Sequence, residues 1–264
     1  MDSIDSSAQV SAVPLLQRLR TSAAARDGLL VLGAQGAAAI IALALDVLLF
    51  RSLPQADRGV LTTALAFRNI LLYIADLGLA LTTVRIGAEY FGKGLNSEAR
   101  FIFRRALYSR IVLALSVTLA AVILAPGLGR LVMASTNGPI LICAAAAGLL
   151  GMTLTSWGVD VSQATRRFSF YFAHQLVEAV LKAAAVATVV VLALYGTDPA
   201  RTVLWAMAAS AMLAGLVSVL LQRRELAPSL LQLETQTEIR ERLRSFGRYA
   251  GVIAFLQTTV SFNF

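Results

Sequence analysis

Six apolar stretches, each about as long as a helix needs to cross a bilayer, run along this chain with polar connections between them. A hydrocarbon core of roughly 30 Å takes about 20 apolar residues of helix. The stretches are Gly28–Phe50, Val60–Val84, Leu107–Ala125, Pro139–Val159, Tyr171–Leu194 and Thr202–Leu221. A seventh opens near Tyr249 and ends at Phe264. Inside lipid every backbone polar group must find a partner, and a helix supplies all of its own. The expected fold is an all-α integral membrane bundle of six transmembrane helices, with the start of a seventh.

Composition excludes the main soluble classes. The chain is 58% hydrophobic and only 14% charged, where ordinary domains carry about 25% charge. A net charge of +8 on a soluble protein would point to nucleic acid. Here the cations flank apolar spans, so they read as topology signals and contacts for anionic lipid, with no nucleic-acid partner. Cys143 is the only cysteine and reads as a packing residue, and no zinc or haem spacing exists. No metal and no cofactor are expected. The first apolar run is too long for a cleaved leader and is expected to remain as a span.

Arginine gives the orientation. Lys and Arg resist translocation and collect on the cytoplasmic side. One set of connections holds Arg18, Arg20, Arg26, Arg85, Lys93, Arg100, Arg104, Arg105, Arg110, Arg166, Arg167, Arg223, Arg224, Arg240, Arg242, Arg244 and Arg248. The other holds Arg51, Arg58, Arg130 and Arg201, giving 17 against 4. The bias places the amino terminus in the cytoplasm. The organisation expected is a tail over residues 1–27, a six-helix lobe over 28–221, a cytoplasmic linker over 222–248 and the start of a seventh span over 249–264. Asn96 and Ser97 are placed to begin a short surface helix between the second and third spans.

The second span and its exit carry a distinctive order of residues. Ile74-Ala75-Asp76-Leu77-Gly78-Leu79, then Thr82-Thr83-Val84-Arg85 and Gly92-Lys93-Gly94, resemble the second-helix segment of bacterial polysaccharide flippases. These are the O-antigen (Wzx-type) and related exporters of the multidrug/oligosaccharidyl-lipid/polysaccharide superfamily. Leu30–Phe50 followed by Arg51-Ser52-Leu53-Pro54 and Asp57-Arg58-Gly59 is similar to the first helix and its loop. Gln163, Arg166, Arg167 and Phe168 resemble the inner turn between helices four and five. Arg244-Ser245-Phe246-Gly247-Arg248-Tyr249 resembles the entry to helix seven. The resemblance implies the amino-terminal lobe of a two-lobe transporter, the lobe linker and part of helix seven. It implies transport of a lipid-diphosphate-linked oligosaccharide by alternating access, in a bacterial inner membrane, on the way to lipopolysaccharide or a related polymer. It also implies that a missing carboxy-terminal lobe, or a partner half-transporter, completes the cavity.

Charges at membrane depth are expensive and face a partner or a cavity. Asp46 and Arg68 both lie toward the outer ends of their helices and are placed to form a structural ion pair. His174, Glu178 and Lys182 repeat at i, i+4 and i+8 and share one face of span five. One reading makes these groups internal pairs that fix helix register. The other makes them the lining of a water-filled cavity. Arg68 and Lys182 would then attract the cargo diphosphate, while Asp76, His174 or Glu178 would take up a coupling proton. Asp160 and Arg166 read as interfacial.

Two rivals remain open. A multidrug or lipid II exporter of the same superfamily would share the architecture and differ in cavity chemistry. A membrane enzyme of polysaccharide assembly would need a large outer loop or a carboxylate cluster. The outer loops are short, with Asp57 and Asp198 as their acids, so no enzyme activity is expected.

Overall fold

In the computed structural model, residues 23–133, 137–192 and 198–226 are described, and they form helices without strands. The elements are α1 (Ala23–Ser52), α2 (Gln55–Asp76), α3 (Leu79–Gly92), α4 (Asn96–Met133), α5 (Gly138–Ala147), α6 (Leu149–Ala164), α7 (Phe168–Val191), α8 (Pro199–Leu221) and α9 (Arg223–Leu226). Six spans are long and apolar enough to cross a membrane, with α5 and α6 together making the fourth. The amino-terminal tail, the linker beyond residue 226 and the seventh run at 249–264 lie outside the described residues.

The bundle is apolar outside and small-residue inside. Leu29, Ile40, Val112, Leu119, Ile123 and Leu220 stand exposed, which suits a surface solvated by lipid. Ala64, Ala75, Ala114, Ala144, Ala145 and Ala214 are buried. The fourth span is the hub, with 67% of its most apolar window buried against 11% for the first. Its approach to α8 depends on glycine. A Cβ on Gly215 would sit 2.6 Å from the Gly151 carbonyl oxygen, and one on Gly151 would overlap the backbone of Ala211. Small residues let helix backbones touch in lipid, where packing replaces the hydrophobic drive. Gly148 makes a similar approach, with Ala208 lying against it.

Three expectations are corrected. The second apolar run is not one helix. Leu77 and Gly78 both adopt left-handed backbone (φ 42° and 75°), which ends α2 at Asp76 and starts α3 at Leu79. Gly78 takes that region freely, whereas Leu77 carries a strain of about 1–3 kcal/mol. Asn96 and Ser97 open a single helix of 38 residues, not a short surface piece. The residues just after the sixth span also belong to the lobe, because Gln222 and Glu225 are buried.

The two ends of the bundle are tied differently. At one, Asp198 Oδ1 caps α8 by accepting from the Arg201 amide at 3.1 Å, and Asn137 Nδ2 donates to Asp198 Oδ2 at 2.9 Å. At the other, Glu225 is paired with Arg167 at 2.7 Å and Arg100 at 3.5 Å. That acid joins the start of α9 to α4 and to the turn between α6 and α7.

Candidate functional site

A buried arginine organises the interior. On α4 the buried positions run Phe103, Ala106, Leu107, Arg110, Ala114, the spacing of one helix face. Arg110 therefore points into the bundle, with its side chain only 2% exposed. Its Nη2 pairs with Asp160 on α6 at 2.5 Å and with Asp76 at the end of α2 at 3.1 Å. Asp160 falls on the matching face of α6, below Thr153 and Trp157. Removing one partner of a buried pair costs about 3–5 kcal/mol, because the other charge stays behind in a poor solvent. Arg110 Nε and Nη1 have no hydrogen-bond partner among the described residues. Here the sequence reading is corrected: Arg110 does not lie in a connection but inside the third span, and Asp160 is buried against it.

The triad lines a cleft of about 240 Å³. Tyr73, Asp76, Arg110, Asp160, Gln175 and Glu178 supply its polar chemistry, with Thr153 and Ser156 on α6. Three carboxylates face one guanidinium there, a formal surplus of two negative charges. A second groove of about 170 Å³ runs between α1 and α7, lined by Ala38, Leu45, Gln175, Glu178 and Lys182 among others. Gln175 and Glu178 form part of both walls.

The residues singled out from the sequence separate into four places. Asp76 and Glu178 line the cleft. Lys182 lines the α1–α7 groove. Arg68 is half-buried on α2, within electrostatic reach of Glu178 and Lys182 but in the lining of neither cavity. Asp46 is exposed, and no ion pair joins it to Arg68 among the described residues.

His174 leaves the stripe it shares with Glu178 and Lys182. It is 1% exposed and packs its ring on Gly158. Nδ1 lies 3.0 Å from Ser218 Oγ and Nε2 lies 3.3 Å from Gln222 Nε2. Gln222 Nε2 also donates to Ser162 Oγ at 2.7 Å. With Gln222 as donor, Nε2 accepts and Nδ1 carries the proton, so the ring is held as a neutral crosslink of α6, α7 and α8. Among the described residues no set of three His, Cys, Asp or Glu is arranged to hold a metal ion.

Six spans around a charged, hydrogen-bonding cleft define a polytopic helical membrane protein. The chain belongs to the polysaccharide biosynthesis protein family, whose family model matches residues 24–263. A search of curated proteins finds no match, and a search of solved structures finds none.

Proposed function

We propose that the chain is one lobe of a flippase that moves a lipid-diphosphate-linked oligosaccharide across a bacterial inner membrane, with its amino terminus in the cytoplasm. The observation that carries this reading is the polar cleft inside an otherwise apolar bundle, in a chain of the polysaccharide biosynthesis family. Charged groups at membrane depth mark cargo or ion pathways. The break at Leu77–Gly78 supplies a hinge beside Asp76. A second lobe completes the path, and rocking of the two lobes exposes the cargo to either side. Lys182, in the groove beside lipid-exposed α1, meets the diphosphate, with Arg68 adding to the local positive field. Asp76 or Glu178 takes up the coupling proton, and His174 serves packing instead. No bond is made or broken in this cycle, so the protein is not an enzyme.

The test is flipping in proteoliposomes. A fluorescent polyprenyl-diphosphate disaccharide is equilibrated into both leaflets, and a glycosidase is added outside. With the second lobe supplied by a partner half-transporter, the protein is expected to expose the inner pool about tenfold faster than protein-free vesicles, a barrier lower by about 1.4 kcal/mol. The carboxylate surplus of the cleft favours a second reading, an exporter of organic cations. Unchanged disaccharide flipping with accelerated efflux of a cationic dye would select it.

A further inference from the structure

We propose that the Asp76–Arg110–Asp160–Glu178 cleft is a subsite for one uncharged, hydroxyl-bearing sugar ring and excludes acidic sugars and the diphosphate. The inference rests on the flippase reading and assigns the parts of the cargo to different cavities. Arg110 is the starting point. Its side chain is 2% exposed, one nitrogen serves two carboxylates, and Nε and Nη1 have no acceptor among the described residues. Buried donors without acceptors are costly, and Arg110 lines the cleft, so an oxygen-bearing ligand that reaches the guanidinium relieves that cost. The other lining groups set the opposite requirement. Asp76, Asp160 and Glu178 only accept when ionised, so the ligand must donate as well. A sugar hydroxyl does both, whereas a phosphate or carboxylate oxygen only accepts.

Charge decides the rest. Lys182 and Arg68 lie within electrostatic reach of Glu178, so the uncompensated acid is at the Asp76–Arg110–Asp160 end, where two carboxylates share one guanidinium and an anion is disfavoured. The volume, about 240 Å³, equals roughly eight waters' share of liquid volume, which suits a single ring. Tyr73 lines the same cleft and is 80% exposed, so its ring is free to lie against the apolar face of a sugar. The adjoining groove holds Lys182 and shares Glu178 and Gln175 with the cleft. A head group at Lys182 would therefore deliver the first sugar to the shared wall.

The full chain in nanodiscs is titrated with three fluorescent lipids: polyprenyl diphosphate, the same lipid bearing a neutral hexose disaccharide, and the same lipid bearing a uronic acid disaccharide. The neutral form is expected to bind about tenfold more tightly than either of the others. Glu178→Gln combined with Asp160→Asn should cut the discrimination against the uronic acid to about threefold or less. Tyr73→Ala changes an exposed side chain, so folding is spared, and it should weaken the neutral form alone by about fivefold. Equal binding of all three lipids would overturn the subsite and leave the flippase reading standing. Retained discrimination in the double variant would do the same. Failure of every lipid to bind would overturn both.

Discussion

Arg110 on α4 and Asp160 on α6, fifty residues apart in the chain, meet at 2.5 Å where the helices are most deeply buried. Asp76 closes the triad at 3.1 Å from the same nitrogen. Because the guanidinium is only 2% exposed, Arg110→Leu leaves two largely enclosed carboxylates facing each other without a cation. The variant should lose about 3 kcal/mol or more of stability, read as a lowered midpoint of thermal unfolding in detergent. Asp160→Asn keeps an acceptor beside Arg110 and should lose less. Equal midpoints for Arg110→Leu and the parent would show that the triad is not buried as described.

The surface pair Lys93–Glu89 makes the contrasting case. Its contact is also short, at 2.6 Å, but both side chains are more than half exposed. Lys93 pulls the Glu89 carboxyl below its ordinary range by hydrogen bond and charge. A depressed carboxyl stabilises above its unfolded value and loses that contribution as pH falls through its folded one. Exposed pairs of this kind contribute little, so Lys93→Ala should leave the unfolding midpoint unchanged at neutral pH and at pH 4. A clear drop at neutral pH alone would contradict this.

The number of spans was legible in the sequence, because length and hydropathy determine it directly. Asp76 and Glu178 were legible as charges at membrane depth. Arg110 was not, since it follows Arg100, Arg104 and Arg105 and was counted with them as a loop cation. The available signal was local: Phe103, Ala106, Leu107 and Ala114 set a buried face on which Arg110 falls. No ion pair joins Asp46 to Arg68 among the described residues. Rise per residue gives depth, but rotation about the helix comes from neighbours that only the fold supplies. The break at Leu77–Gly78 was hidden because the residues on both sides stay apolar.

Gly151 and Gly215 meet with no room for a methyl group on either. Gly151→Leu would force α6 from α8 along the most buried span. Overpacking costs about 1–3 kcal/mol and sometimes more. The expected result is a lower unfolding midpoint and increased aggregation in detergent. Gly36→Leu serves as the control, since nothing lies within 4 Å of a Cβ there. Similar losses at both positions would mean that the α6–α8 crossing is looser than described.

Glu225 should decide how firmly the segment after the sixth span is held. Its carboxylate is 2% exposed and bridges Arg100 and Arg167. Glu225→Ala removes the shared anion and leaves two arginines side by side, which favours release of α9 from the bundle. Cleavage by trypsin at Arg223 should then proceed about tenfold faster, since access tracks the free energy of local opening and tenfold corresponds to about 1.4 kcal/mol. Glu225→Asp, which keeps the charge at shorter reach, should fall between parent and alanine variant. Equal cleavage in all three would detach the clasp from any role in holding this segment.

Orientation rests on the arginine bias, and moving Arg110 into the interior leaves that bias large. Gln55 and Asn96 are both exposed and open α2 and α4. In a Cys143→Ala background, a cysteine at position 55 should react with an impermeant thiol reagent added outside intact cells. A cysteine at position 96 should react only after permeabilisation. The positive-inside tendency favours this arrangement when short loops carry nearly all of one bias. Labelling in the opposite order would invert the bundle, place the Arg100–Glu225–Arg167 clasp outside, and require the cargo to enter from the far leaflet.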